Sequence, residues 1–218
     1  SGVFESIEYK NHMLTDFEPD SLFAARVAEI TADPHLNEAV GENSELLNHI
    51  GLGKMQASIV RDAVGAEVGF YHYGGVRLAE LPIGAVSRAT LFDLEPFFST
   101  VASMTMTPKQ MRQMIITKFN DTGNVKESHR VDLYSTVPYD IITDNRGEAV
   151  DVIFPTLREG RRYKVGMCNY IAETYRGIEA DDKVICEDIL VLDKCIEFFD
   201  KNSPVKLSNK PLQRIVRP

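Results

Sequence analysis

The sequence is short of cysteine, of long apolar runs and of positive charge, and each shortage closes off a class of function. Cys168, Cys186 and Cys195 make an odd count with no CxxC spacing, which argues against both a disulfide framework and a zinc knuckle. Cysteine is among the most often buried residue types, so free interior thiols are expected. No stretch approaches the ~18 apolar residues of a membrane span, and no secretory leader is recognisable near Val3. A formal net charge of −8 and a pI near 5.2 argue against an electrostatic grip on DNA, RNA or anionic lipid, which requires basic clusters facing phosphates.

Metal-ligand patterns are missing too. The histidines His12, His35, His49, His72 and His129 are scattered, without H-x-H or HExxH spacing. A two-metal phosphoesterase needs clustered motifs of the D-x-H, G-N-H and G-H kind to hold its ions ~3.5–4 Å apart. The chain is therefore expected to bind no metal and to hydrolyse no phosphate ester unaided.

What is present is an ordinary globular composition: 218 residues, 44% hydrophobic, enough for one large domain or two small ones. Residues 3–17 alternate loosely, with Val3, Ile7, Tyr9, Met13, Leu14 and Phe17, in the manner of an edge strand. Glu18 to Ser21 starts a helix that Asp33-Pro34 ends. A short strand is expected over 36–42, then Asn43-Ser44-Glu45 as the cap of a long helix through Val60, in which Gly51 and Gly53 either weaken the helix or mark close packing.

The most informative stretch begins at Ala66 to Tyr71, an apolar strand that empties into His72-Tyr73-Gly74-Gly75-Val76-Arg77. Paired glycines there indicate a tight loop with backbone close to a neighbour, and Arg77 at its lip. Ser87 caps a helix through Leu94, which Glu95-Pro96-Phe97-Phe98 closes. A strand over 99–106 turns into a helix over 108–120, with Thr107 as cap and Pro108 in the first turn. Its stripe of Met111, Met114, Ile115 and Phe119 suits a core face. Strands are expected at 131–134, 139–143 and 149–154, the last two joined by an Asp144 to Gly147 hairpin turn. A strand at 163–168, a helix over 189–202 and a strand over 212–216 complete the chain.

Gly74-Gly75-Val76-Arg77, Pro96-Phe97 and Thr107-Pro108-Lys109-Gln110, in that order and spacing, resemble the C-terminal domain of the 5'-nucleotidase family, whose pattern is roughly N-G-G-G-I-R, P-F and L-T-G-x-x-L. Arg161 to Tyr170 is similar to the family's Y-x-V/A-x-x-x-N-[YF] strand. The resemblance implies a mixed α/β (α+β) fold in which helices cover mixed β-sheets. It divides the chain into residues 1–17, the tail of an upstream domain or an edge strand of this one, a linker helix at 18–34, and the family domain at 35–218. It further implies that the chain recognises a nucleotide or nucleoside, while a metallophosphoesterase domain on the same polypeptide or another chain holds two divalent ions and cleaves the phosphate. The whole enzyme would then work in the periplasm or at the cell surface.

By position, Arg77 would contact ribose or phosphate and Phe97 would stack on the base, with Gly74 and Gly75 shaping the loop. For Arg77 the alternative is a salt bridge across the loop, and for Phe97 a core role, which is the role expected of Phe98. His72 stands where the family has asparagine, so it is either a base or ribose contact or a buried histidine bonded to a carbonyl. Three departures stand out. An early arginine is missing, with Lys54 as a possible substitute. Tyr73 replaces a glycine, and its ring would project into the ligand space. Ile178 occupies the place of the family's second base-stacking aromatic after G-G-D-G, leaving Tyr175 or Tyr170 to replace it. These departures equally permit a binding module that kept the fold and lost the nucleotide site.

Overall fold

A computed structural model describes residues 8–11, 15, 17–121, 129–178, 180 and 182–218. The strand expected over residues 3–17 falls largely outside them, as does His12. The chain forms two compact units, 1–37 and 38–218.

In the first unit, α1 (Ser21–Thr31) begins where the Asp20 carboxyl accepts the N–H groups of Leu22 and Phe23, satisfying two of the donors that a helix start leaves open. None of its residues is buried, and α2 (Pro34–Asn37) adds one turn.

The second unit runs β1 (Ala39–Asn43), β2 (Leu47–Asn48), α3 (His49–Ala63), β3 (Val68–His72), β4 (Glu80–Leu81), β5 (Gly84–Ser87), α4 (Arg88–Leu94), β6 (Thr100–Met106) and α5 (Pro108–Phe119). It continues with β7 (Leu133–Ser135), β8 (Tyr139–Thr143), β9 (Ala149–Ile153), β10 (Tyr163–Cys168), α6 (Asn169–Thr174), β11 (Val184–Leu190), α7 (Val191–Asn202) and β12 (Gln213–Val216). The main sheet has the order β11-β6-β10-β3-β7, with β10 and β3 parallel and the other pairs antiparallel. A three-stranded sheet, β12-β8-β9, and two small pairs, β1-β5 and β2-β4, accompany it. Helices on mixed sheets are thus the architecture.

Glycine decides how close α3 comes to the sheet. Gly69 and Gly166 pair across β3 and β10, and a Cβ on either would come within 2.0 Å of the Ala57 carbonyl oxygen or 2.5 Å of the Val60 one. On the helix itself, a Cβ at Gly53 would meet the Tyr134 ring at 2.0 Å. Close packing is therefore the reason for Gly53, and apolar burial offsets its poor helix propensity. The Met111 and Met114 side chains are wholly buried, as the stripe on α5 requires. All three cysteines are free, Cys168 and Cys195 buried and Cys186 half-buried.

Two local expectations need correction. The cap of α3 is Asn48, whose side chain accepts from Ile50 and Gly51, because Asn43 is buried and spends its amide on the carbonyls of Glu45, Leu81 and Pro82. Ile189 and Leu190 belong to edge strand β11, so α7 starts two residues later than its apolar pattern suggests. In β11 the acidic Glu187 and Asp188 are exposed, which obscures the strand pattern but suits a solvent-facing edge.

Candidate functional site

Three segments meet around a cavity of about 410 Å³ in the second unit, a size typical of small-molecule sites (~300–1,000 Å³). The first is the loop that follows β3, a strand buried along its whole length. A single 3₁₀ turn at Tyr73–Gly75 redirects the chain. Gly75 lies against its own approach strand: a Cβ there would sit 2.5 Å from His72 Nε2 and 2.8 Å from the Tyr71 ring. The Tyr73 N–H donates to the Asp132 carbonyl at 2.7 Å and the Arg77 N–H to the Leu94 carbonyl at 3.1 Å, so both ends of the loop are fixed by main chain.

Arg77 lines the cavity, with its guanidinium carbon 5.5 Å from the centre of the Phe97 ring. Its Nη1 reaches the Gly74 carbonyl at a long 3.5 Å, and among the described residues no carboxylate pairs with it. The salt bridge weighed above is therefore not formed there.

Tyr73 does not fill the ligand space. Its ring turns away, 4.1 Å from the His49 ring and with the Arg130 guanidinium 4.0 Å above it, a cation–π stack that holds the loop from outside. His49, which carries no motif or spacing to single it out, joins this stack. Its Nε2 lies 3.0 Å from the Val76 carbonyl and its Nδ1 2.7 Å from the Tyr134 hydroxyl. A carbonyl only accepts, so Nε2 carries the proton and neutral Nδ1 accepts from Tyr134. Burial lowers the His49 pKa, which favours that neutral form.

The second segment is the turn after α4. Phe97 and Phe98 are both more than half exposed and both line the cavity, so Phe98 is not the core residue expected of it. It has φ +52°, in the left-handed region that side chains other than glycine rarely adopt. Beneath it Glu95 is completely buried.

The third segment, Asn169 to Tyr175, supplies a further wall with Tyr170 and Tyr175. Tyr170 stacks on His72 at 4.7 Å and 29°. The Tyr175 hydroxyl donates to the Asp132 carboxylate, Lys118 Nζ lies 5.0 Å from its ring centre, and burial followed by that carboxylate pushes its pKa up. His72 is 9% exposed and has its pKa lowered to about 4 by burial and by Lys118, so it is neutral near pH 7. Ile178 packs against the core.

Of the residues singled out above, His72, Gly74, Arg77, Phe97 and Tyr175 border one cavity, while Gly75 supports it from behind. Lys54 is a correction: its ammonium donates to the Ser208 and Lys210 carbonyls, both at 2.7 Å, and does not line the cavity. Among the described residues no group of three histidine, cysteine, aspartate or glutamate side chains is placed to hold a metal.

Residues 27–181 match the family described as 5'-nucleotidase, C-terminal domain. Among curated protein sequences none matches significantly. Solved structures share the fold at low identity. A 5'-nucleotidase precursor from Thermus thermophilus has TM-score 0.71 and 17% identity over 91% of this chain and 44% of its own. A Haemophilus influenzae NAD nucleotidase has TM-score 0.69 and 15% identity over 91% and 42%. A Thermus thermophilus sulfate thiohydrolase has TM-score 0.67 and 13% identity over 93% and 40%. The chain thus spans less than half the length of these relatives. With the family match covering most of its length, the chain belongs to the 5'-nucleotidase C-terminal domain family.

Proposed function

We propose that the cavity binds the nucleoside part of a nucleotide, and that the chain is the substrate-recognition half of a 5'-nucleotidase-type phosphomonoesterase. The observation that carries this reading is the Arg77 guanidinium, lining an aromatic cavity beside Phe97 with no carboxylate neutralising it among the described residues. An unneutralised guanidinium suits an oxyanion, and aromatic faces suit any base, at ~1–3 kcal/mol per stacked ring. Phe97 offers one such face, and Tyr170 or Tyr175 offers the second in place of Ile178. Neutral His72 presents one donor and one acceptor to a polar ligand edge.

These residues bind and orient, and phosphate-ester cleavage belongs to another piece of protein. In this reading a metallophosphoesterase domain, on the same polypeptide or a separate chain, supplies two divalent ions that activate water. No donor cluster among the described residues fits such ions. The whole enzyme would act on nucleotides in the periplasm or at the cell surface.

Isothermal calorimetry with AMP, adenosine and a nucleotide sugar at concentrations into the millimolar range tests the reading. Saturable heat that Arg77→Ala diminishes supports it. No heat with any of the three favours the other class, a binding module that retains the fold with a lapsed nucleotide site.

A further inference from the structure

The aromatic turn 96–99 has an unusual foundation. Glu95 is fully buried, yet no cation among the described residues pairs with it. Its carboxyl accepts from uncharged donors. One oxygen, Oε1, accepts the Phe97 N–H at 3.3 Å and the Ser99 N–H at 3.2 Å. The other, Oε2, accepts the Tyr71 hydroxyl from β3. Three donors converge on one side chain, and two of them are the main-chain N–H groups that flank Phe98.

Those two bonds bear on backbone strain. Phe98 adopts φ +52°, a conformation that persists for a bulky residue only where its surroundings over-determine it. A carboxyl that holds the N–H before and the N–H after Phe98 is such a constraint. The Tyr71 bond fixes Glu95 to β3, the strand that delivers His72 and the Arg77 loop, and the Arg77 N–H bonds to Leu94, the residue before Glu95. The Arg77 loop and the turn that carries Phe97 and Phe98 are thereby referred to one buried point.

We infer that Glu95 is a positioning residue: its buried carboxyl sets the turn that aims Phe97 and Phe98 into the cavity and ties that turn to the strand bearing the Arg77 loop. It touches no ligand and acts through the Phe97 and Ser99 N–H groups. As a contributor to affinity it rests on the nucleotide reading above, but its effect on the turn does not.

The test therefore has two arms. Glu95→Gln keeps an oxygen acceptor for both N–H groups and an amide that Tyr71 can meet through its own oxygen, whereas Glu95→Ala removes all three bonds. Amide hydrogen exchange of the folded proteins is expected to show Phe97 and Ser99 exchanging at least ~10-fold faster in Glu95→Ala, with near-original rates in Glu95→Gln and little change in the β8–β9 hairpin. Calorimetry with AMP is expected to show affinity lowered ~10-fold or more in Glu95→Ala and restored by Glu95→Gln. Tyr71→Phe, which removes a single donor, replaces the alanine variant if that does not fold, with a smaller shift of the same kind expected at Phe97 and Ser99. Unchanged exchange at both amides in whichever variant folds overturns the inference, as does uniform acceleration across the whole domain. Absence of AMP binding by the unsubstituted chain defeats the nucleotide reading alone, since the exchange arm still decides the role of Glu95.

Discussion

The wall that carries Arg77 and Phe97 and the wall that carries Tyr170 and Tyr175 face the same cavity, but they are anchored differently. In the first, main-chain groups make the anchoring bonds, through Arg77 N–H to Leu94 and through Phe97 and Ser99 N–H to Glu95. The side chains that face the cavity add little to that scaffolding: Arg77 makes a long 3.5 Å bond to the Gly74 carbonyl and Phe98 an edge contact with the Phe92 ring. In the second, Tyr175 is wall and anchor at once, since its ring faces the cavity and its hydroxyl bonds buried Asp132. Function and stability can therefore be separated at the first wall and are fused at the second.

Removing the fused element should have the largest effect. Tyr175→Ala truncates a half-buried ring and leaves Asp132 short of a donor, and a loss of ~2–4 kcal/mol of unfolding free energy is expected. Urea denaturation followed by circular dichroism measures it. A variant as stable as the original would show that Tyr175 anchors nothing.

Next comes the contact between the walls, His72 on Tyr170. The His72 pKa falls to about 4 in the folded state, below the ~6.5 of an unfolded histidine. Between those values the unfolded chain binds more protons, so stability rises with pH there and is lost as pH falls from about 6.5 toward about 4. The full effect is up to ~3 kcal/mol. Denaturation at a series of pH values should show His72→Asn with a shallower acid loss than the original, and parallel curves would refute the assignment.

Arg77→Ala sharpens the contrast from the other side. It should weaken AMP binding by ~1.5–3 kcal/mol, roughly 10- to 150-fold, with the melting temperature nearly unchanged, because no ion pair among the described residues is broken. A large drop in melting temperature would make Arg77 a scaffold residue after all. The smallest effect is expected for Tyr73→Gly, which restores the glycine of the family pattern. It should cost ~1–2 kcal/mol of stability through the lost stack with Arg130 and His49 and the freer backbone. Binding is expected to change little, since the ring already points away from the cavity.

Much of this organisation is legible in the sequence where local chemistry decides the outcome. Thr107-Pro108 starts α5 with a complete capping box to Gln110, Ser87 caps α4, and the Asp144 to Gly147 turn joins β8 to β9 with Gly147 at φ +86°. The meeting of Arg77 and Phe97 is what the family resemblance implies and not what their spacing alone dictates. What stays hidden depends on contacts distant in sequence. Lys54 is drawn to two carbonyls near the C-terminus, Asn43 is consumed by the β4 region before it can cap a helix, and Tyr73 is turned outward by His49 and Arg130. A core role for Phe98 is the natural expectation because adjacent aromatics usually pack; its left-handed backbone, with Glu95 bonded on both sides of it, is visible only in three dimensions.

In the proposed complex one base-sized ring is received between the two walls. Intermolecular nuclear Overhauser effects from adenine H2 and H8 of saturating AMP would reveal that arrangement. Effects are expected to the ring protons of Phe97 and to those of Tyr170 or Tyr175 in the same complex. Saturated binding with effects to neither wall, or only to residues outside the cavity, would contradict it.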